Sequence, residues 1–370
     1  MSKTTTELPF TELVERLQEI ARIDSTNDSG RARGAINHAY TKELPREEDW
    51  SFLLVSSAIS CVAKYDLGTV TATTQNTSVT FSAAATITAG MTGRKIKFMG
   101  NPDVYDFTRT GDTAGTIAPQ LSGDANITAG AYVIFQPRYQ LSSTFERFPK
   151  NGGLQLFQGG VPTILPETPI QEYYSDYTSS PGTPATCRVV DNVGTDGVPY
   201  VEVAPPPSKA VNLPYDYFRK LLPLRETTGG VATIAAGATA VTGQSGTLFT
   251  EAQSGWYFRI NAFGTGEDSE WYRVLAVTHN SALVLQTAFG LSGATSANYT
   301  LCAAPAIPAR LHDAILFKGV QLVTADQNDP LFQFYGGLYA KSIVDAKRLY
   351  KTRVYSQTVH TDLEEFHFRR

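Results

Sequence analysis

The side chains best suited to proton transfer near neutral pH are five histidines, His38, His279, His312, His360 and His367. Their spacing places no three in a metal-ligand pattern. "RLHDAIL" offers a His312–Asp313 pair, but neighbours on a helix point to different faces, so His312 reads as a packing residue and Asp313 as a surface charge. "TGQSGT" (Thr242 to Thr247) departs from a nucleophile elbow, because one residue separates Gly243 from Ser245 and none separates Ser245 from Gly246. Hydrolysis of a sugar bond needs two carboxylates about 5–10 Å apart across a cleft. The acidic groups Glu47–Glu48–Asp49, Glu267–Asp268 and Asp362, Glu364, Glu365 are explained by solvated loops instead. No phosphate-binding glycine loop and no dinucleotide fingerprint occurs. The expectation is a protein that is not an enzyme, with no catalytic residue, cofactor or metal.

Composition bounds what could position such residues. At 370 residues the chain exceeds the ~250–300 of a single core, and two or more domains are expected. Richness in Gly, Pro, Thr and Ser favours many short strands and turns. Cys61, Cys187 and Cys302 are few, odd in number and far apart, and read as small packed residues. A net charge of −4 opposes tight wrapping of nucleic acid. No apolar run approaches the ~18 residues of a membrane span, and "MSKTTTELPF" lacks signal-peptide order, so folding in the cytoplasm with no membrane association is expected.

Helical periodicity marks both ends. Phe10, Leu13, Leu17 and Ile20 recur at three and four, and a second helix is expected from Arg31 to Leu44, stopped by Pro45. Near the other end Pro308 suits a first turn, Asp329–Pro330 forms an N-cap pair, and Phe332, Tyr335, Tyr339, Ile343, Ala346 and Tyr350 make a stripe needing a partner. The N-terminal helical pair is its simplest partner.

Between the ends one pattern occurs twice. "TAGMTGRKIKFMG" (Thr88 to Gly100) has a looser copy in "TEAQSGWYFRINAFG" (Thr250 to Gly264). Gly68, Val79 and Gly93 map onto Gly230, Val241 and Gly255 at a constant offset of 162 residues; Tyr105 falls opposite Trp271 or Tyr272, and Tyr132 opposite Tyr299. In each copy alternating Ile96, Phe98 or Phe258, Ile260 would bury one face of a sandwich or small barrel. A third β segment, "TCRVVDN", "YVEVAPPP" and "VNLPYDYF", lies between them. The expected fold is α+β and β-rich: a helical bundle and small sheet built from both chain ends and the middle, with two inserted repeat-related all-β modules. Residues 1–67 would give the N-terminal helices and first core strand, 68–137 the first module, 138–226 the core β segment, 227–303 the second module and 304–370 the C-terminal helices and tail.

That tail, "DAKRLYKTRVYSQTVHTDLEEFHFRR", mixes basic and aromatic side chains of the kind that anchor protein interfaces. The candidate docking residues are Lys347, Arg348, Tyr350, Lys351, Arg353, Tyr355, Phe366, Phe368, Arg369 and Arg370.

The order "RGAINHAYTKELPREEDWSFL", "YQLSSTFERFPK", "GTPATCRVV", "VEVAPPP", "NLPYDYFRKLLPL", "IPARLHDAILFKGV" and "QNDPLFQFYGGLYAKSIVDAKR" resembles the head-to-tail adaptor (neck or connector) proteins of tailed bacteriophages. The resemblance spans roughly residues 8–67, 138–226 and 304–356. It implies a structural virion protein of the neck, assembled in the host cytoplasm as a homo-oligomeric ring of twelve subunits (a dodecamer) below the portal, which joins capsid to tail and takes part in genome ejection. The implied partners are the portal protein, tail or nozzle proteins, neighbouring copies of itself, and genomic DNA that passes without sequence-specific binding; the tail would dock on the portal. The alternative is a tail-tip or fibre adhesin whose exposed Trp256, Tyr257, Trp271 and Tyr272 stack on surface glycans.

Overall fold

The computed structural model describes residues 7–23, 28–123, 125–150, 152–158, 160–168, 181–190, 198–244, 246–262, 268–324 and 329–351. The fold is mixed α+β and strand-rich, as the composition implies. It divides into two compact units, one formed by Met1–Leu53 with Leu221–Arg370 and the other by Leu54–Lys220. No helix among the described residues is long and apolar enough to cross a membrane.

The continuous unit opens with β1 (Leu54–Cys61) and the first repeat follows as β2 (Val70–Ala72), β3 (Ser78–Phe81), β4 (Lys95–Phe98), β5 (Val104–Gly111), β6 (Ala114–Ala118), β7 (Ile127–Gly130) and β8 (Tyr132–Phe135). These seven strands pair antiparallel in the order β7-β2-β3-β6-β5-β4-β8. The two edges, β7 and β8, are separated in sequence by Ala131 alone, so one bent strand supplies both and curls the sheet into a barrel-like form. Period-two alternation sends Phe81, Ile96, Phe98, Phe107 and Tyr132 inside, each burial contributing on the order of 1.5–3 kcal/mol.

The remaining strands of this unit are β9 (Arg138–Gln140), β10 (Phe145–Arg147), β11 (Gln155–Gln158), β12 (Val161–Ile164), β13 (Thr186–Val190), β14 (Tyr200–Ala204) and β15 (Val211–Arg219). They form the small sheets β1-β15-β10 and β13-β14-β9 and the hairpin β11–β12 around Tyr139, Leu154, Val201, Val203, Leu213 and Tyr215. Pro214 pairs with Ala58, and β10 meets β15 only at Phe218 and Arg219, so the missing proline N–H falls outside that second ladder. Leu54, the first residue of the unit, pairs with Phe218 near its last.

The other unit joins helices from both chain ends to the second repeat. In α1 (Phe10–Ala21) the buried stripe is Phe10, Leu13, Val14 and Leu17, and Ile20 stays at the margin. Helix α2 (Ser29–His38) continues through a π turn, Ala39–Glu43, into α3 (Leu44–Glu47). Pro45 therefore does not stop the helix as expected. A proline removes an N–H and clashes with the carbonyl four residues back, and the wider π turn ahead of it relaxes both constraints.

Helix α4 (His312–Val323) is the centre of the group, packed on α1 and α2 through one face and on α5 (Pro330–Tyr350) through another. At Gly319 a Cβ would stand 2.8 Å from Cδ1 of both Ile36 and Leu17, so any larger residue would force these buried side chains to shift where the three helices meet. The Asp329 carboxylate accepts from the Leu331 N–H at 2.7 Å, making the expected cap of α5. The stripe of α5 buries Tyr339, Ile343 and Ala346, chiefly against α4 rather than against the N-terminal pair.

The second repeat comprises β17 (Val231–Ile234), β18 (Ala240–Gln244), β19 (Tyr257–Ile260), β20 (Tyr272–His279), β21 (Ala282–Leu285), β22 (Ala294–Ala297) and β23 (Tyr299–Cys302), with the short β16 (Glu226–Thr227) added beside β23. Its order, β16-β23-β19-β20-β21-β18-β17-β22, matches the first repeat strand for strand. Even the extra strand has a counterpart, the Tyr65–Ile134 bridge, which corresponds to Thr227–Leu301. Gly68 and Gly230 share φ +81°, and Gly93 and Gly255 lie at +84° and +90°. The ladders settle the alignment of the aromatics, since Tyr105 faces Ile96 and Tyr272 faces Phe258.

Candidate interaction site

The end of α5 is where the described part of the expected docking segment lies. Lys347 Nζ approaches Glu47 at 3.7 Å and Lys351 Nζ approaches Glu48 at 3.3 Å, while Arg348 pairs with Asp345 one turn back at 3.7 Å. Tyr350 meets Phe52 edge-on at 5.8 Å, Phe52 stacks on the buried Trp50 at 5.6 Å, and Lys351 bridges to Trp50 through the backbone. Solvated pairs of this kind contribute about 0–1 kcal/mol each. Their effect is positional: they fix where the chain leaves α5. Arg353, Tyr355, Phe366, Phe368, Arg369 and Arg370 lie outside the described residues, as do His360, His367, Asp362, Glu364 and Glu365.

The acidic run at Glu47 and Glu48, read as loop charge, is thus the partner of the basic run 300 residues later. Complementary charge in "REED" and "KRLYK" was the available signal. Behind it a polar chain continues inward. Tyr339 donates to Glu47 at 3.1 Å, Lys318 lies 5.2 Å over the Tyr339 ring, and the same ammonium reaches Glu43 at 3.2 Å. Burial pushes the Tyr339 hydroxyl up, and Glu47 adds to that, so it stays a donor. Burial opposes ionisation of Glu43, but Lys318 and His38 outweigh it and hold the carboxyl below its usual value.

The other titratable groups have structural partners. His312 is buried; its Nδ1 accepts the Leu8 N–H at 2.9 Å and its Nε2 stands 3.4 Å from the Ile307 carbonyl, so the imidazole is held neutral with burial lowering its pKa. His38 and His279 are exposed, beside Glu43 and Ser281. Burial raises Cys61 and Cys187 to about 12 and Cys302 to about 11, which keeps these thiols protonated and unreactive. Among the described residues no three His, Cys, Asp or Glu side chains form a metal-holding group.

The aromatics of the second repeat are not an exposed stacking surface. Tyr257 and Tyr272 are buried, Trp256 packs against the barrel core, and Trp271 is covered by the Arg259 guanidinium 4.5 Å from its ring. Alternation along β19 identified two faces but not what covers the outer one. That cover is the N-terminal segment: Tyr257 donates to Glu7, Arg259 pairs with Glu15, and the Phe10 N–H donates to the Ala303 carbonyl at 2.9 Å. Thr11 and Arg33 both hold Glu226, and the Asn37 side chain binds the Leu224 backbone through both its oxygen and its nitrogen. The second repeat is therefore bound into the helical group. No protein-family model matches the chain, and no curated protein matches it.

Proposed function

We propose that this chain is the subunit of a head-to-tail adaptor ring in a tailed phage virion, located at the neck, where it joins the portal to tail or nozzle proteins and surrounds the DNA conduit. The observation that carries the reading is the helical group made from both chain ends, in which α5 is buried on one side only. Phe334, Val344 and Leu349 on its other side are more than half exposed, interspersed with Lys341, Asp345 and Arg348, a mixed apolar and charged face suited to contact between neighbouring copies. Its C-terminal end is fixed by Glu47, Glu48 and Phe52, so that the basic, aromatic tail starts from a defined point. A ring of twelve subunits would carry on the order of −50, which discourages DNA from adhering as it passes. The glycan-binding alternative has less support, because the aromatics it needs are buried or covered.

Native mass and negative-stain imaging of the protein mixed with the portal from the same genome test the reading. A ring of about a dozen copies stacked on the portal is the expected result. A trimer, or a monomer indifferent to the portal, would refute it.

A further inference from the structure

The two repeats align strand by strand, and the place that holds the N-terminal segment on the second barrel has a counterpart on the first. On the second barrel, Tyr257 of β19 is paired in register with Arg273 and Cys302, and the segment carrying Glu7 lies over it and runs past Ala303. On the first, Lys95 of β4 is paired in register with Asp106 and Phe135. Lys95 thus corresponds to Tyr257, Arg94 to Trp256, and Gln136 to Ala303.

At this point in the unit Leu54–Lys220 there is a cleft of about 270 Å3. Arg94, Lys95, Asp106 and Arg138 line it together with Tyr200 and Glu202. Its charges are unevenly matched. Lys95 pairs with Asp106 at 2.6 Å, and Glu202, almost fully buried, is held at one oxygen by Arg138 and at the other by Arg188 at 2.6 Å. Arg94 donates through Nε to the Gly90 carbonyl at 3.0 Å, and no carboxylate among the described residues pairs with it. It is partly buried, and burial lowers its pKa, the expected penalty for a guanidinium without an anion beside it.

We propose that this cleft seats a carboxylate from an acidic segment of another protein chain, with Arg94 as its principal partner and Lys95 and Arg138 flanking it. The second barrel supplies a precedent beside Arg94: there Glu7 accepts from Tyr257, the counterpart of Lys95. On the first barrel the residues at that place are cations, Lys95 for Tyr257 and Arg94 for the core-packed Trp256, which suits an anionic segment arriving from outside. A guanidinium holds a carboxylate through paired N–H donors, so specificity as well as affinity would reside in Arg94.

The test uses the full chain at about 50 mM salt and a fluorescent synthetic peptide reproducing residues 7–16, ELPFTELVER, followed by anisotropy. The expected result is saturable binding that Arg94→Gln weakens about tenfold or more, that Arg94→Lys also weakens though less, and that a peptide with its three glutamates changed to glutamine loses. Thermal melting of each variant within a few degrees of the parent shows that the fold is kept. Binding unchanged by Arg94→Gln, or absent in the parent, overturns the proposal. Inorganic phosphate displacing the peptide at equal concentration would also overturn it, because the cleft would then be a general oxyanion site.

Discussion

The backbone N–H of Leu8 donates to Nδ1 of His312 across 304 residues of sequence, joining the two ends of the chain in one buried hydrogen bond. His312→Leu would leave that N–H without a partner at a cost of about 1–3 kcal/mol. The same residue sets a pH dependence. The unfolded chain takes up a proton as pH falls through 6.5 while the folded imidazole, its pKa lowered, stays neutral, so stability drops as pH falls below that value. Urea unfolding at pH 7.5 and pH 5 should show this slope in the parent and a smaller one in His312→Leu; equal slopes would contradict the assignment.

Glu43 acts lower on the scale. Its folded pKa is depressed, so its contribution is complete above the ordinary value of 4.5 and is lost as pH falls through the folded value. Glu43→Gln should flatten the thermal midpoint against pH below about 4.5. An unchanged acid limb would show that the Lys318 and His38 contacts do not stabilise the fold.

Gly319 is a contact of three helices. Gly319→Val should cost about 2–3 kcal/mol by overpacking against Ile36 and Leu17, and Ile36→Val in the same chain should recover part of it. Additive losses in the double variant would mean that the helices separate instead of sharing the strain.

The repeats make a prediction about each other. Tyr132 donates to the Leu67 carbonyl at 2.6 Å, and Tyr299 donates to the Gly229 carbonyl at the corresponding place. Tyr132→Phe and Tyr299→Phe should each cost about 0.5–1.5 kcal/mol in denaturant titrations. A loss in only one would show that the matching geometry hides unequal energetics.

Reversing charge at Lys347, Arg348, Lys351 and Arg353 should abolish co-sedimentation with the portal. Because two of these residues also pair with Glu47 and Glu48, the control is the same variant with Glu47→Lys and Glu48→Lys. Recovery of portal binding in that control would assign the basic residues to holding α5 and remove them from docking.

The barrels were legible in the sequence because their constraints are local. Ile96 and Phe98 alternate, and glycines stand where positive φ is required, at 68 and 93 and again at 230 and 255. Asp329–Pro330 marked a helix start for the same reason. What escaped was set by distant partners. Pro45 marks a stop only if the preceding turn is α-helical, and Tyr257 reads as exposed only while the segment at Glu7 is unknown. Of the docking residues, spacing could place Lys347 and Lys351 on one turn but could not show Glu47 and Glu48 across from them.

The pairing of Leu54 with Phe218 has a consequence for the gene. Strands in a ladder run about 5 Å apart, so the entry and exit of residues 54–220 lie side by side, and this stretch is a cassette whose removal leaves two cut ends close together. A short linker from Leu53 to Leu221 would reseal the remaining chain, and a different cassette could be spliced at the same junction. A lineage could in this way exchange a whole barrel and its accompanying sheets in a single recombination, leaving every helix of the other unit untouched.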